Sequence, residues 1–308
     1  MNLCRVKFFL NRWVLLAFLS LVWGSSFILI KKSILYFTPF QVGAVRICLA
    51  GIVFMAYGIP VLRKLPKKVV KWMVVAGLCG SFFPMFMFPL AQTEVSSSMA
   101  GVLNALMPIF ALIVGFLLFG VKSGWSQGIG AFVGFSGAAI LLFTSGEIGV
   151  GNFGYALIAV VAALLYAISS LLIQLRLKEV NSLKLSVGIF TLLLPAGLVC
   201  LWLSGFFSDF RGTADQWVGL GYVSVLSLVG TALAAGLFFR LIQSSSAVFA
   251  GTVTYLMPLV AAFWGILDGE RITAWFFLAM SMIFLGIYLI RERTPKGTRP
   301  FDAPHVPR

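Results

Sequence analysis

The chain has 308 residues, 60% of them hydrophobic and only 10% charged, with a mean hydropathy of +1.04. Soluble domains carry about 25% charged residues, so this composition excludes a soluble globular protein and makes lipid the solvent for much of the surface. The net charge of +14 does not imply nucleic acid, because the basic residues sit in short loops and tails, where they orient membrane proteins.

A membrane-spanning helix needs about 20 mostly apolar residues. That ruler predicts ten spans, over roughly 12–30, 39–60, 72–90, 96–119, 124–144, 151–174, 184–207, 216–240, 246–267 and 273–290. The first follows Arg5, Lys7 and Arg12, but it runs too long for a signal-peptide core and lacks a small-residue cleavage site before Lys31 and Lys32. It reads as a retained helix. The connections are short and rich in Gly, Ser, Pro and charges, with no room for a soluble domain. If residues 1–11 are cytoplasmic, only Lys31, Lys32, Arg211 and Arg271 face the other side, and Arg46 lies within a span. All the other Lys and Arg residues are then cytoplasmic, a bias that predicts both termini inside. The tail, residues 291–308, holds four prolines and reads as a disordered cytoplasmic segment. The fold class expected is an all-α integral membrane protein of the cell (inner) membrane.

Shifted by 150 residues, the chain resembles itself. Ala100-Gly101 meets Ala250-Gly251, and Leu106-Met107-Pro108 meets Leu256-Met257-Pro258. Ser96, Ala111, Gly115, Leu117 and Trp125 meet Ser246, Ala261, Gly265, Leu267 and Trp275 without a gap. This predicts two five-helix repeats, 12–144 and 151–290. Five is odd, so the halves enter the membrane from opposite sides, the inverted arrangement from which many secondary transporters are built. Pro108 and Pro258 each remove a helical hydrogen bond at matching places; they read either as hinges or as static kinks.

Arg46 is the one ionisable residue clearly inside a span, seven residues past Pro39, about 10 Å along the helix. Its guanidinium suits a substrate carboxylate or phosphate, or else a structural tie to helix ends. The acidic residues all lie in loops, at span ends or in the tail, and the lone histidine is His305 in the tail. No proton relay is evident, so the expectation is facilitated diffusion or exchange, or proton linkage only through an edge residue such as Glu94. Mid-span Trp23, Gln41, Asn104, Tyr166, Ser169, Thr252, Thr254 and Tyr255 are the polar and aromatic candidates for a substrate cavity; interhelical hydrogen bonds are the alternative for each. Gly130 and Gly134 allow close helix contact, either at a dimer face or within the bundle. Cys4, Cys48, Cys79 and Cys200 have no metal-type spacing. No disulfide, metal or cofactor is expected.

Several strings resemble one family. Trp23-Gly24-Ser25-Ser26-Phe27, Arg46 in a proline-led second span, the two Ala-Gly…Leu-Met-Pro strings and Gly269-Glu270-Arg271-Ile272 resemble, in order and spacing, the EamA-like members of the drug/metabolite transporter superfamily. The likeness covers about 12–290; Gly120-Val121-Lys122 departs from it where the family often has a glycine-glutamate turn. The resemblance implies ten helices in two inverted repeats, a central cavity and alternating access. Because the family carries an arginine at Arg46 across varied substrates, it also favours a structural role there. The expected function is a secondary transporter for a small organic metabolite, an amino acid or similar solute, moved outward. Its expected partners are that solute and the lipid bilayer, with no nucleic acid and a homodimer left open. The competing readings are a channel or non-transporting membrane protein and, behind them, a membrane-embedded enzyme, for which the spans lack the histidine, acid or lysine chemistry.

Overall fold

The computed structural model describes residues 11–120, 125–144, 153–245, 250 and 253–290. Lys122, Glu147, Ser246, Gly251, Thr252, Cys4, the first ten residues and the tail with His305 lie outside the described residues. All regular structure among the described residues is helical, as lipid requires of a chain whose backbone polar groups must be satisfied internally. In chain order the helices are α1 (Arg12–Ser33), α2 (Pro39–Arg63), α3 (Lys67–Gly77), α4 (Phe83–Ala91), α5 (Ser97–Asn104), α6 (Met107–Phe119) and α7 (Trp125–Thr144). There follow α8 (Phe153–Arg176), α9 (Ser182–Leu203), the single turn α10 (Phe206–Asp209), α11 (Ala214–Ser227), α12 (Ala234–Ser244), α13 (Val253–Leu267) and α14 (Ala274–Ile290).

Two pairs of these are continuous rods. A π-helical stretch, Leu78–Phe82, joins α3 to α4, and a second, Leu228–Leu233, joins α11 to α12. Counting each rod once, and α5 with α6 as one run (Ser97–Leu118), seven helical runs are long and apolar enough to cross a membrane; Gln127–Leu141, Val253–Leu267 and Ala274–Leu289 are shorter apolar helices. The span expected over 96–119 corresponds to the run Ser97–Leu118, which has a turn inside it. It breaks at Ala105 and Leu106, and Pro108 falls in the first turn of α6, where a missing N–H costs nothing. Pro258, by contrast, sits inside the continuous α13.

Polar side chains fix the helix starts. Asn11 Oδ1 accepts from Trp13 N at 3.0 Å, Ser96 Oγ from Met99 N at 3.2 Å and Asn181 Oδ1 from Leu183 N at 3.0 Å. Thr38 with Gln41 and Thr213 with Gln216 form reciprocal capping boxes at α2 and α11. Each such cap stabilises its helix by about 1 kcal/mol.

Inside the bundle Leu19, Ile47, Leu103, Ile109, Ile173 and Phe190 are fully buried, while Leu117, Phe132 and Trp202 are 68%, 73% and 72% exposed. Water would make such exposure costly; a lipid-facing surface gives it no penalty. The packing partners are α2 with α9, α7 with α14, α1 with α13, α8 with α3, α4 and α6, and α1 with α11 and α12. Small residues set the closest approaches. A Cβ at Gly24 would come within 2.9 Å of Val260 Cγ1 on α13, and one at Gly286 within 2.7 Å of the backbone nitrogen of Gly134 on α7. The Gly130–Gly134 pair is therefore spent on α14 within the bundle.

A central candidate site

Around the two π-helical stretches the helices separate and enclose a cavity of about 840 Å³, its open mouth included. Its walls come from α1, α2, α4, α5, α6, α8, α9, α12, α13 and both π-helical stretches, and none of its lining residues comes from α7 or α14. The two stretches begin at Leu78 and Leu228, positions that coincide under the 150-residue shift. Each contributes a glycine to the wall, Gly80 and Gly230, which coincide as well. A wider helical turn needs its backbone groups satisfied from neighbouring helices. Trp23 Nε1 donates to Gly230 O at 2.7 Å, and Ser169 Oγ donates to Ala76 O at 2.8 Å. A Cβ at Gly80 would overlap Ser169 Oγ, so only glycine leaves this contact intact.

Arg46 reaches this cavity from α2 and is 6% exposed. Its Nη2 donates to Thr231 Oγ1 at 3.2 Å; that hydroxyl in turn donates to Leu226 O at 3.2 Å. The Arg46 carbonyl accepts from Ser227 Oγ at 2.7 Å, which fixes the backbone behind it. Its Nε is buried without a partner. Among the described residues the ion pairs belong to Lys31 and Lys32, none to Arg46. Asn104, 2% exposed, donates only to Met257 Sδ at 3.8 Å, and its Oδ1 is also buried without a partner. Aromatic rings complete the wall. Trp23 meets Phe238 edge-on at 4.7 Å between centroids, and Phe88 stacks on Tyr166 at 5.8 Å.

Of the residues the sequence singled out, Trp23, Arg46, Asn104, Tyr166, Ser169 and Thr254 come together on this one cavity. Gln41 does not. It occupies the first turn of α2, where Oε1 accepts from Thr38 N at 3.0 Å and Nε2 donates to Ser204 O at 3.2 Å and Asp209 Oδ2 at 2.8 Å. Its amide is consumed in closing a helix end. Tyr255 is also absent from the lining; one residue on from Thr254, it is turned about 100° around the helix and packs against the core. Sequence reasoning missed Gly80, Gly230, Thr231, Phe88 and Phe238. The coincidence of Gly80 with Gly230 under the same shift was the available signal.

At one end of the bundle a second polar cluster gathers. Lys31 Nζ, at the end of α1, lies 2.8 Å from Asp268 Oδ2 and 2.9 Å from Glu270 Oε1, and Lys32 pairs with Asp268. The Glu270 side chain is 5% exposed. Its Oε1 accepts from Ser97 N at 3.0 Å and Ser97 Oγ at 2.7 Å; its Oε2 accepts from Ser98 N at 3.1 Å and Ser98 Oγ at 2.6 Å. The carboxylate thus caps the positive end of α5. Burial opposes its ionisation, but the hydrogen bonds from Ser98, Lys31 and Ser97 and the charge of Lys31 outweigh it and hold the carboxyl below its usual range. Asp268 behaves likewise: burial raises it, and the contacts with Lys31 and Lys32 bring it down on balance.

The profile of the EamA-like transporter family matches residues 11–143 and again 153–291. The chain is similar to the uncharacterized transporter YvbV of Bacillus subtilis, 28% identical with 80% of each chain covered. It is 26% identical to the uncharacterized inner membrane transporter YedA of Escherichia coli, with 88% of each covered. The S-adenosylmethionine/S-adenosylhomocysteine transporter of Chlamydia muridarum is 24% identical over 90% of this chain and 91% of that one. One solved crystal structure superposes with a TM-score of 0.63 at 18% identity, covering 90% of this chain and 94% of the other; this likeness concerns the fold.

Proposed function

The chain belongs to the EamA-like transporter family, and on that premise we propose that it is a secondary transporter exporting a small organic metabolite by alternating access. The observation that carries the proposal is the central cavity, where a buried guanidinium and a buried amide have hydrogen-bonding atoms to spare. The candidate substrate contacts are Trp23, Arg46, Asn104, Tyr166, Ser169 and Thr254. Gln41 and Tyr255 are assigned to the helix cap and the packing around the cavity.

In this reading ten spans form two inverted five-helix repeats, 12–144 and 151–290, with both termini in the cytoplasm. Three observations support it. One family profile matches each half. The π-helical stretches start 150 residues apart. The packing pairs also exchange with one another under that shift: α1 on α13 becomes α8 on α5 and α6, and α8 on α3 and α4 becomes α1 on α11 and α12. Such a duplex has two near-equivalent arrangements, one open to each side, about a midplane site. The break before Pro108 is placed to absorb the change, with Pro258 as its counterpart in α13.

Counterflow in proteoliposomes tests the function. Vesicles are preloaded in parallel with pools of amino acids, organic acids, sugars and nucleotides. A labelled solute that accumulates transiently with one pool identifies a carrier and its substrate class. A flux that never saturates and shows no counterflow identifies a channel instead.

A further inference from the structure

Among the described residues that line the cavity, Arg46 alone carries a formal charge and none is acidic. The described acids lie in turns and at helix ends, with Asp268 and Glu270 committed to lysines and to α5. A lone guanidinium out of water is costly unless a negative partner balances it. If Arg46 were only a structural tie, its charge would face neutral groups alone, the Thr231 hydroxyl bonded to it and Tyr166 on the same wall, and its Nε would remain empty. Planar N–H donors of this kind match an acid group of two oxygens.

The other polar groups on the wall narrow the choice. Trp23, Ser26, Ser169 and Thr231 already donate to backbone carbonyls. The buried acceptor on the wall left without a partner is Asn104 Oδ1, and Ser81, Tyr166 and Ser170 add neutral hydroxyls. Neutral oxygens suit a hydroxyl or amide N–H, but they supply no counter-charge for an ammonium taken out of water. Resting on the transporter reading above, we infer that the substrate is a small organic anion. Its acid group sits on Arg46, a neutral donor such as a hydroxyl meets Asn104, and an apolar or aromatic body lies against Trp23 and Phe238. Zwitterionic amino acids are disfavoured because their ammonium has no counter-charge here. The same charge supplies the coupling. A cell interior at negative potential expels a monoanion with no proton or sodium site in the protein, consistent with the absence of acids from the cavity.

Two probes of one shape separate the classes: 3-phenyllactate and phenylalanine differ in carrying a hydroxyl or an ammonium on the same carbon. With the full-length protein in proteoliposomes, 3-phenyllactate counterflow is expected to exceed that of phenylalanine about thirtyfold or more, the scale of one unpaired buried charge. Net 3-phenyllactate uptake should also follow an inside-positive potential set by potassium and valinomycin, approaching about tenfold accumulation for a tenfold potassium gradient. Arg46→Gln should abolish this flux, and Arg46→Lys should restore part of it, charge without the planar fork. If neither variant folds, the potential dependence of the wild-type protein carries the test. Phenyl phosphate in a parallel arm shows whether the acid group is a carboxylate or a phosphate; exchange of either supports the inference. Phenylalanine flux equal to that of 3-phenyllactate, or 3-phenyllactate flux blind to the potential, overturns it. Counterflow with a neutral or zwitterionic pool and with no anion overturns the anion class while leaving the transporter; no counterflow with any pool overturns both.

Discussion

The two ends of the bundle are built from matching positions but closed by different chemistry. At one end Lys31, Lys32, Asp268 and Glu270 join α1, α5 and the turn before α14 through ion pairs and a capped helix. The 150-residue shift carries Lys31 and Lys32 to Asn181 and Ser182, and Asp268 and Glu270 to Leu118 and Gly120. None of those four is charged. Asn181 caps α9 instead, and Gly120 ends α6 in the left-handed conformation at φ 65°. Helix ends are satisfied at both places, but among the described residues only the Lys31 end is tied across the bundle by charge. If the molecule alternates between two arrangements as proposed, this difference would make them unequal in energy. The arrangement closed at the Lys31 end, outside in the proposed orientation, would gain contacts that its mirror state lacks. Conformational balance in such a molecule is set by a few such residues, because a two-state equilibrium responds to any interaction present in only one state.

Glu270→Ala is the strongest way to break this comparison. It strips the charge from Lys31 contact and leaves the first amides of α5 without their acceptor. Removing one partner of a buried pair costs about 3–5 kcal/mol. The expected result is a lowered melting temperature in detergent and faster labelling of a cysteine placed at Ile30, in a cysteine-free background, by an impermeant thiol reagent added from the Lys31 side. Unchanged labelling would show that the cluster stabilises the fold without closing the end.

Acid should reproduce that effect reversibly. The carboxyls of Glu270 and Asp268 are held below their ordinary values of 4.5 and 3.8. Folded values that are depressed contribute stability that is fully present above the ordinary values and is lost as pH falls through the folded ones. Melting temperature should therefore hold level from neutral pH down to near 4.5 and fall below it. The fall should be shallower in Glu270→Gln, which cannot lose that charge again.

The sequence made the spans legible because lipid imposes a simple length and polarity rule, and it made Arg46 conspicuous because a charge there breaks that rule. Trp23, Asn104 and Thr254 were legible as polar atoms at mid-span. Gln41 misled because a capping glutamine looks the same in sequence as a buried one; only the three-dimensional path of the Phe206–Asp209 turn brings Asp209 to it. The π-helical stretches left no hydropathy signal, since a widened turn changes backbone pairing and not composition. Phe88 and Phe238 were hidden for a different reason: among 30 phenylalanines, neither composition nor spacing tells lipid-facing rings from cavity-facing ones.

The two lysines sharpen the comparison within the cluster itself. Lys31, with its side chain 31% exposed, bridges Asp268 and Glu270, whereas Lys32, 36% exposed, pairs with Asp268. Lys31→Met removes the counter-charge of the buried carboxylate, although the serine donors still hold it, so the expected loss is smaller than for Glu270→Ala. Lys32→Met removes an ion pair whose lysine reaches solvent and whose aspartate keeps Lys31 as a partner, and pairs at the surface contribute about 0–1 kcal/mol and are screened by salt. Melting curves at low and high salt should separate the two. Lys31→Met should lower stability at both ionic strengths, because its pairing with Glu270 reaches a site that salt does not enter, whereas Lys32→Met should differ from the parent at low salt alone. If Lys32→Met proved as damaging as Lys31→Met, Asp268 would be the group that closes this end, and the contacts of Glu270 with Ser97 and Ser98 would serve helix α5 alone.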